Sequence, residues 1–413
     1  MSRIRVLHPI TCLAIGGAQE NTILTADLMN KGIVGNGHYH VEIVSGPQTG
    51  PEGSLIEEVR ERDIPLTVLP ALRRELSPLH ELPAVRYLRR LMTDGSGRPR
   101  FDIVHTHSSK AGVVGRIAAA WAKIPLIVHT VHGWSFHDQM PPARRRLYVA
   151  FERLAARYSH KTIVVSATDI EKGLSEGIGR PEDYVVIRSG IELDRFGHPS
   201  VPPAEMRRRL GIPSNALVIG SVTRLLPQKA PLDLLNAFAL VHRKRPDVWL
   251  TVVGDGFLRA EMEQRLNELR IADRVILTGV RRDIPELMAM FDVFLLSSLW
   301  EGLPRVLPEA MANGLPIVCT EADGSSEAVL DGETGFITPR GRPDLLAARL
   351  LTLLTDESLR RRMGESGRAR APEFGARKMV QDIEALYREL RRDRQLAQSL
   401  ASQSRCASGS AGG

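Results

Sequence analysis

The sequence predicts an α/β protein made of two doubly wound, Rossmann-like domains that face each other across a cleft. Short apolar runs alternate with helical stretches along most of the chain, which is typical of parallel sheets covered by helices on both faces. The alternation stops once, around residues 190–214, where prolines and arginines accumulate, and then starts again. A chain of 413 residues is long enough for two such domains.

The first half of the chain is assigned to an N-terminal domain, residues 1–195. Its predicted strands are short runs rich in Val, Ile and Leu, at 5–8, 41–44, 103–106, 126–129 and 162–165. Predicted helices separate these strands, at 19–29, 79–92, 111–122, 143–158 and 169–175. Since strands joined by helical crossovers run parallel, this half predicts a parallel sheet.

The second half repeats the pattern after a linker region at 196–214. Residues 215–375 are assigned to a C-terminal domain, with predicted strands at 218–222, 249–253, 275–277, 293–296 and 317–319 and helices at 232–242 and 258–269. A last helix over 376–395 carries an apolar stripe. Residues 396–413, rich in Ser, Ala and Gly, are expected to form a disordered tail.

Composition favours a cytoplasmic protein. The three cysteines, Cys12, Cys319 and Cys406, form neither a metal-binding pattern nor a disulfide framework. The N-terminus lacks the apolar core of a signal peptide, and no stretch is apolar enough to span a bilayer. A net charge of +7 suits contact with anionic lipid, although a generally basic proteome would give the same charge. No nucleic-acid partner is expected.

The most informative motif is a pair of glutamates, Glu301 and Glu309. The apolar run 293–296 ends just before Glu301, which therefore lies on a strand-to-helix loop. Glu309 lies early in a short predicted helix that stops at Gly314. Parallel sheets bind ligands beyond the carboxyl ends of their strands, where acceptor-only carboxylates suit a ligand rich in hydroxyls. Two ordinary exposed glutamates are the alternative.

Two cations follow the first strand of the second domain. Arg224 lies just beyond this strand, and Lys229 precedes a helix that Pro231 is expected to open. Two cations at a helix N-terminus fit a diphosphate, and they could neutralise charge on a leaving diphosphate as a bond breaks. The alternative is a pair of solvated surface cations.

Glycine-rich turns follow strands in both domains. Gly16 and Gly17 lie between the first strand and the first helix, where their backbone N–H groups could approach an anion. They do not form a Gly-x-Gly-x-x-Gly fingerprint, so a dinucleotide is not indicated. Gly254 follows a strand of the second domain in a similar position. Either turn could equally be a tight connection without a ligand.

Several histidines end strands of the first sheet. His132 is placed slightly ahead of its neighbours because flexible Gly133 follows it. A histidine at this edge could hold a sugar hydroxyl or carry a proton near neutral pH. The residues around it show no carboxylate or cysteine spacing that would support a metal site. His105 and His107 end another strand, and one of them could be a satisfied structural residue.

Together these motifs resemble the family 4 glycosyltransferases, which have the two-domain GT-B fold. The resemblance extends from the Gly16–Gly17 loop to the last long helix. The matching pieces are Gly16-Gly17-Ala18, His132-Gly133, Arg224 with Lys229, Gly254-Asp-Gly256, and Glu301-x7-Glu309 followed by Ala-Met-Ala-Asn-Gly-Leu-Pro-Ile-Val.

The resemblance implies transfer of a sugar from a nucleotide-diphosphate donor, with retention of anomeric configuration and without metal or cofactor. It implies that Glu309 holds the donor ribose and that Glu301 contacts the donor hexose. Arg224 and Lys229 would grip the diphosphate, and His132 would lie near the sugar. The donor site would also include Gly16, Gly17, Gly254, Gly302 and Leu303. The N-terminal domain would bind the acceptor, and the last helix would cross back onto it.

The chain departs from the family pattern at two places. Pro227-Gln228-Lys229-Ala230 replaces a loop that often ends Glu-Lys-Gly, but the lysine is retained. After Glu301, Pro304 removes one backbone donor for a phosphate, and Arg305 is a candidate to compensate.

The leading hypothesis is therefore a retaining glycosyltransferase that uses a nucleotide sugar, with UDP-sugar preferred, and a saccharide or lipid-linked saccharide acceptor in the synthesis of cell-surface polysaccharide or glycoconjugate. A sugar-nucleotide 2-epimerase and a catalytically idle nucleotide-sugar-binding subunit are the alternatives. Basic and apolar residues are also mixed along 83–92 and 144–153, which is compatible with peripheral contact with an anionic membrane at the cytoplasmic face of the inner membrane. The alternative is a pair of helices packed on the sheet with a solvated basic face.

Overall fold

A computed structural model of the chain describes residues 3–48, 53–73 and 78–409. The first sheet has seven strands, β1 (Ile4–Cys12), β2 (Tyr39–Gly46), β3 (Leu66–Val68), β4 (Ile103–His107), β5 (Leu126–Val131), β6 (Lys161–Val164) and β7 (Tyr184–Val186). Its helices are α1 (Gly17–Asn30), α2 (Ile56–Glu61), α3 (Pro78–Met92), α4 (Ser109–Trp121), α5 (Pro142–Ala156) and α6 (Ala167–Ser175).

A second sheet of six strands follows helix α7 (Pro203–Arg209), which lies in the predicted linker. Its strands are β8 (Val218–Val222), β9 (Trp249–Val253), β10 (Val275–Leu277), β11 (Val293–Leu296), β12 (Ile317–Thr320) and β13 (Gly335–Thr338). The remaining helices are α8 (Pro231–Lys244), α9 (Arg259–Leu269), α10 (Ile284–Ala289), α11 (Val306–Ala312), α12 (Ser325–Ala328), α13 (Pro343–Thr355), α14 (Glu357–Arg370) and α15 (Ala376–Gly409).

Both sheets are parallel, and both have the strand order of a doubly wound fold. The first runs β3-β2-β1-β4-β5-β6-β7, and the second runs β10-β9-β8-β11-β12-β13. The predicted fold class is therefore confirmed. Strand order reverses between β1 and β4 and between β8 and β11, and the crevice at such a reversal is where open α/β sheets bind ligands.

The strands that the sequence did not indicate are β3, β7 and β13, and all three are edge strands. They have only three or four residues each. An edge strand pairs on one side only and needs less apolar sequence, so its hydrophobic pattern is weak.

Helix α15 packs on the first domain after the chain crosses back from the second. Two backbone hydrogen bonds hold the crossing segment against the first domain. The Ile191 amide donates to the Phe374 carbonyl at 2.9 Å, and the Ala376 amide donates to the Ile191 carbonyl at 2.8 Å. The apolar stripe of α15, including Ile383, then joins the core around β1 and β4. Tyr387 is fully buried in the same core.

The expected tail over 396–413 is wrong for its first part, because α15 continues to Gly409. Residues 392–404 are mostly Arg, Gln, Leu, Ala and Ser, and all but the serines favour helix, so the helix meets no strong breaker before Gly409. Residues 410–413 lie outside the described part of the chain. None of the helices in the described ranges combines the length and apolar character that crossing a bilayer requires.

Candidate active site between the two domains

The loop that carries Glu301 is attached to the loop that carries Lys229. The Gln228 side-chain amide donates to the Trp300 carbonyl at 2.8 Å, and the Ser297 hydroxyl donates to the Lys229 carbonyl at 2.9 Å. The Lys229 ammonium forms an ion pair with the Glu301 carboxylate. The motifs that follow β8 and β11 therefore form one unit at the crevice of the second sheet.

Arg224 differs from Lys229 in that its charge has no partner in the described ranges. No ion pair to its guanidinium occurs within the described residues, and the side chain is half-buried. Gly254 packs against the same loop, since a Cβ on it would lie 1.9 Å from the Thr223 carbonyl oxygen. Close approach by Gly254 therefore supports the Arg224 loop, a contact the sequence did not indicate.

Glu309 is buried on the first turn of α11, with 8% of its surface exposed. Burial raises the pKa of Glu309, while the nearby Arg305 guanidinium lowers it and the Glu20 carboxylate raises it. Arg305 itself forms an ion pair with Glu20 of α1 and donates from Nε to the Gly190 carbonyl at 3.0 Å. This buried arginine therefore joins the second domain to the first.

The Gly16–Gly17 loop lies next to the ion pair between Arg305 and Glu20. Gly17 begins α1, and a Cβ on it would lie 3.0 Å from Cδ of Arg305. The Arg305 side chain therefore lies beside the N-terminus of α1, next to the turn at which the sequence suggested an anion.

His132 lies against the glutamate loop. A Cβ on Gly302 would lie 2.7 Å from the His132 carbonyl oxygen, and a Cβ on Gly133 would lie 3.1 Å from the Gly302 amide nitrogen. Gly133 also has φ of +105°, a backbone conformation that disfavours other residues. The two glycines therefore let a loop from each domain meet, with His132 beside Glu301.

The Leu303 side chain lies in the protein core and not in the cleft. It is buried with 6% exposure and packs in the apolar core of the second domain. Only its backbone could contact a donor, because the side chain is taken up by the core.

Three histidines of the first sheet form a hydrogen-bonded chain that ends at His132. Nδ1 of His8 lies 2.8 Å from Nε2 of His107, and Nδ1 of His107 lies 3.1 Å from Nε2 of His132. Burial lowers the pKa of His132 to about 3, and Arg305 adds to this effect. Burial lowers the pKa of His8 to about 3 and that of His107 well below its usual value. All three imidazoles are therefore neutral near pH 7.

His8, His105 and His107 also lie close enough for one nitrogen of each to share a cation, with these nitrogens within 4.8 Å of one another. Both nitrogens of His105 already have partners, the Tyr387 hydroxyl and the Thr130 hydroxyl, each at 2.6 Å. A cation would have to break these bonds or the one between His8 and His107.

Further contacts close the two domains on each other. The rings of His137 and Trp300 stack with centroids 4.1 Å apart. The Glu327 carboxylate accepts from the amides of Ala167 and Thr168 at the N-terminus of α6, at 2.5 and 3.3 Å.

The structure thus gathers most of the residues that the sequence singled out. Glu301 and Lys229 are in contact, Glu309 is near Arg305, and His132 adjoins Gly302. Sequence reasoning missed Glu20 and Glu327, which act across the cleft, and the link from His107 to His132. A charged residue in the first turn of a predicted helix was the available signal for Glu20.

Two Rossmann-like domains that meet over carboxylates, cations and histidines at their strand ends define a glycosyltransferase of the GT-B type. The family Glycosyl transferases group 1 matches residues 203–370, and the Glycosyl transferase 4-like domain matches residues 28–190. A D-inositol 3-phosphate glycosyltransferase of Streptomyces scabiei is 30% identical over 361 residues, which cover 81% of this chain and 79% of that protein. The chain belongs to the group 1 glycosyltransferases.

Two further relatives cover nearly the whole chain. The UDP-Gal:alpha-D-GlcNAc-diphosphoundecaprenol alpha-1,3-galactosyltransferase of Escherichia coli is 29% identical over 391 residues, which cover 94% of this chain and 97% of that protein. The crystal structure of Anabaena HepE in complex with UDP and glucose superposes with a TM-score of 0.80 at 25% identity, covering 94% of this chain and 100% of that one.

Proposed function

We propose that this chain transfers a hexose or N-acetylhexosamine from a UDP-sugar to a saccharide or lipid-linked saccharide acceptor, in the synthesis of cell-surface polysaccharide or glycoconjugate. The observation that carries the proposal is the unit formed by Lys229 and Glu301 beside His132. The names of the relatives support the donor and acceptor classes, since one uses UDP-Gal with a diphosphoundecaprenol-linked sugar and another was crystallised with UDP and glucose.

Different residues bind the ribose, the hexose and the diphosphate of the donor. Glu309 accepts hydrogen bonds from the ribose hydroxyls, and Glu301 contacts the hexose beside the reacting carbon. Arg224, unpaired within the described residues, takes the diphosphate together with Lys229, which exchanges Glu301 for a phosphate oxygen. Both cations then stabilise the leaving diphosphate. Backbone groups of Gly16, Gly17, Gly302 and Leu303 complete the site, while Gly254 supports the Arg224 loop.

Transfer proceeds with retention and without a metal ion. The sequence contains no Asp-x-Asp pair to hold a divalent cation on a nucleotide diphosphate, which leaves Arg224 and Lys229 as its counter-charges. No cofactor besides the nucleotide sugar is required.

The deciding experiment is a donor panel of UDP-, GDP- and ADP-sugars with a diphosphoundecaprenol-linked N-acetylglucosamine acceptor, with and without EDTA. We expect UDP release that depends on acceptor and survives EDTA, and an anomeric NMR coupling that matches the donor. Release of UDP only with metal, or an inverted product, would contradict the mechanism. Isomerisation of UDP-GlcNAc without acceptor would favour a 2-epimerase, and tight UDP binding without turnover would favour a binding subunit.

The first domain also offers a surface for an anionic membrane. Exposed apolar side chains on α3 and α5 are mixed with exposed arginines. The apolar members are Leu82, Tyr87, Leu147, Phe151 and Leu154, and the arginines are Arg86, Arg89, Arg90, Arg144, Arg146 and Arg153. Such a face suits peripheral attachment at the cytoplasmic side of a membrane, where a lipid-linked acceptor would be available.

Flotation with vesicles containing anionic lipid at low salt tests this surface. We expect co-migration with anionic vesicles but not with neutral ones, and loss of co-migration in a Leu147→Ser/Phe151→Ser variant. A control variant on the opposite domain, Phe257→Ser, removes an apolar side chain that is even more exposed, at 86%, and is expected to keep binding. Equal flotation of all three proteins, or of none, would contradict the proposed surface.

A further inference from the structure

The hydrogen-bonded series of imidazoles from His8 through His107 to His132 allows only two arrangements of its ring hydrogens. Three neutral imidazoles carry three ring hydrogens, and the two N···N hydrogen bonds use one hydrogen each. The third hydrogen must therefore sit at one end of the chain, on Nε2 of His8 or on Nδ1 of His132. Whichever end carries it, all three tautomers follow, because each bond fixes the next ring.

The two ends have different surroundings. Nε2 of His8 and Nδ1 of His132 are both buried without a hydrogen-bond partner among the described residues. His8 is fully buried in the middle of the sheet, and its neighbour His105 has both nitrogens engaged by Tyr387 and Thr130. His132 instead lies at the domain boundary, beside Gly302.

This difference decides where the third hydrogen goes. A buried N–H without an acceptor is rarer in proteins than an acceptor without a donor. A hydrogen on Nε2 of His8 has no acceptor among the described residues and is enclosed in the sheet, whereas a hydrogen on Nδ1 of His132 can be donated to a ligand that enters the cleft. The lower-energy arrangement therefore has N–H on Nδ1 of all three rings.

We propose that His107, backed by His8, is a positioning residue that holds His132 in the Nδ1–H tautomer, so that His132 donates a hydrogen bond to a hydroxyl oxygen of the donor sugar. The proposal rests on the proposed function for the identity of that ligand. This donor on His132 complements the Glu301 carboxylate of the second domain. Glu301 can only accept hydrogen bonds from hydroxyls, whereas a sugar hydroxyl both donates and accepts.

The tautomer is measurable without any substrate. In the full-length protein labelled with 15N-histidine, long-range 15N–1H correlations distinguish a protonated Nδ1 from a protonated Nε2, and a His132→Ala spectrum identifies the signals of His132. We expect protonated Nδ1 for His132, and a switch or mixture of tautomers in His107→Leu. Protonated Nε2 in the unmodified protein would overturn the proposal, as would metal bound in stoichiometric amount with His105 as a ligand. This result stands whether or not the proposed transfer reaction is found.

Kinetics separates positioning from a merely structural role. An asparagine at position 107 can place an amide N–H where Nδ1 of the imidazole lies, whereas leucine cannot. We expect His107→Leu to lower kcat by about tenfold and His107→Asn to restore most of it, as for other residues that orient a functional imidazole. Thermal melting of each variant controls for folding.

A double-mutant cycle completes the test. If His107 acts through His132, His107→Leu has no further effect on kcat in a His132→Ala background. Independent, multiplying losses in the double variant would overturn the positioning role, and so would equal activity of the Leu and Asn variants at matched stability.

Discussion

The C-terminal wall of the cleft carries charges in ion pairs, whereas the N-terminal wall carries neutral imidazoles in hydrogen bonds. Lys229 and Arg305 each have a carboxylate partner, and Arg305 finds it in the opposite domain. His8, His107 and His132 are kept neutral by burial and bond to one another.

This difference separates two ways of building a sugar-nucleotide site. An ion pair can exchange one partner for a phosphate, so the charged wall is ready for an anionic ligand without new side chains. A neutral hydrogen-bond chain cannot supply charge, but it fixes direction, because an imidazole donates from one nitrogen and accepts at the other. We therefore expect charge changes to affect binding of the diphosphate and its departure, and histidine changes to affect alignment of the sugar.

The largest effect is expected from removing the cation of the charged wall. Lys229→Ala should lower kcat by about two orders of magnitude or more, since a charge contact to the leaving diphosphate is lost. The measurement is initial rate at saturating UDP-sugar. Lys378→Ala, which breaks an exposed pair with Asp382, is the matched control and should stay within about twofold. Unchanged kcat in Lys229→Ala would contradict the proposed role of Lys229 in stabilising the leaving diphosphate.

The affinity for UDP, which lacks the donor sugar, separates the role of Glu309 from the role of the histidines. Glu309→Gln keeps the shape but removes the charged acceptor, and it should raise the Kd for UDP by about tenfold, as for loss of a hydrogen bond to a charged group. Calorimetry with UDP measures this. His107→Leu should change the same Kd little, because UDP lacks the sugar that His132 contacts. The exposed Glu389→Gln serves as the charge control.

The pH dependence of UDP binding follows from the raised pKa of Glu309. The ionised carboxylate is the better acceptor for ribose hydroxyls, so UDP affinity should rise as pH increases through this pKa and fall below it. Calorimetry from about pH 5.5 to 8.5 should show a several-fold change, on the scale expected for one ionisation. The terminal phosphate of UDP titrates in the same range, so the slope should become smaller in Glu309→Gln without vanishing, and an unchanged slope there would assign the titration to a group other than Glu309.

The smallest effect concerns the ion pair between the domains. Because the Glu20 carboxylate raises the pKa of Glu309, Glu20→Gln should move the midpoint of the UDP pH profile to lower pH. The shift should be small, since Glu20 is one-third exposed and its charge is partly screened. Glu42→Gln removes a carboxylate that pairs with Arg5 elsewhere on the first domain, and it should leave the midpoint in place.

Much of the fold was predictable because strands buried on both faces must be apolar. β11, for example, is Val293-Phe-Leu-Leu and buried throughout, so its place was evident from sequence. β3, β7 and β13 are edge strands of three or four residues that each include a residue other than Val, Ile or Leu. The equally short edge strand β10 was predictable because its run, Val275-Ile-Leu, is entirely aliphatic. The end of α15 lies beyond the expected start of the tail because the Arg, Gln, Leu and Ala residues between the serines favour helix.

The sequence by itself determined two parallel sheets, and it placed Glu301, Arg224 and Lys229 on loops beyond strand ends and Glu309 in the helix that follows, because apolar periodicity and loop position are local properties. Only the tertiary structure decided which groups pair. The Lys229–Glu301 contact joins residues 72 positions apart, and the Arg305–Glu20 contact joins residues 285 positions apart. The direction of the His132 hydrogen bond likewise depends on His8 and His107 from two other strands. Hydrogen bonds and ion pairs act over a few ångströms, and only folding brings such distant residues within that range.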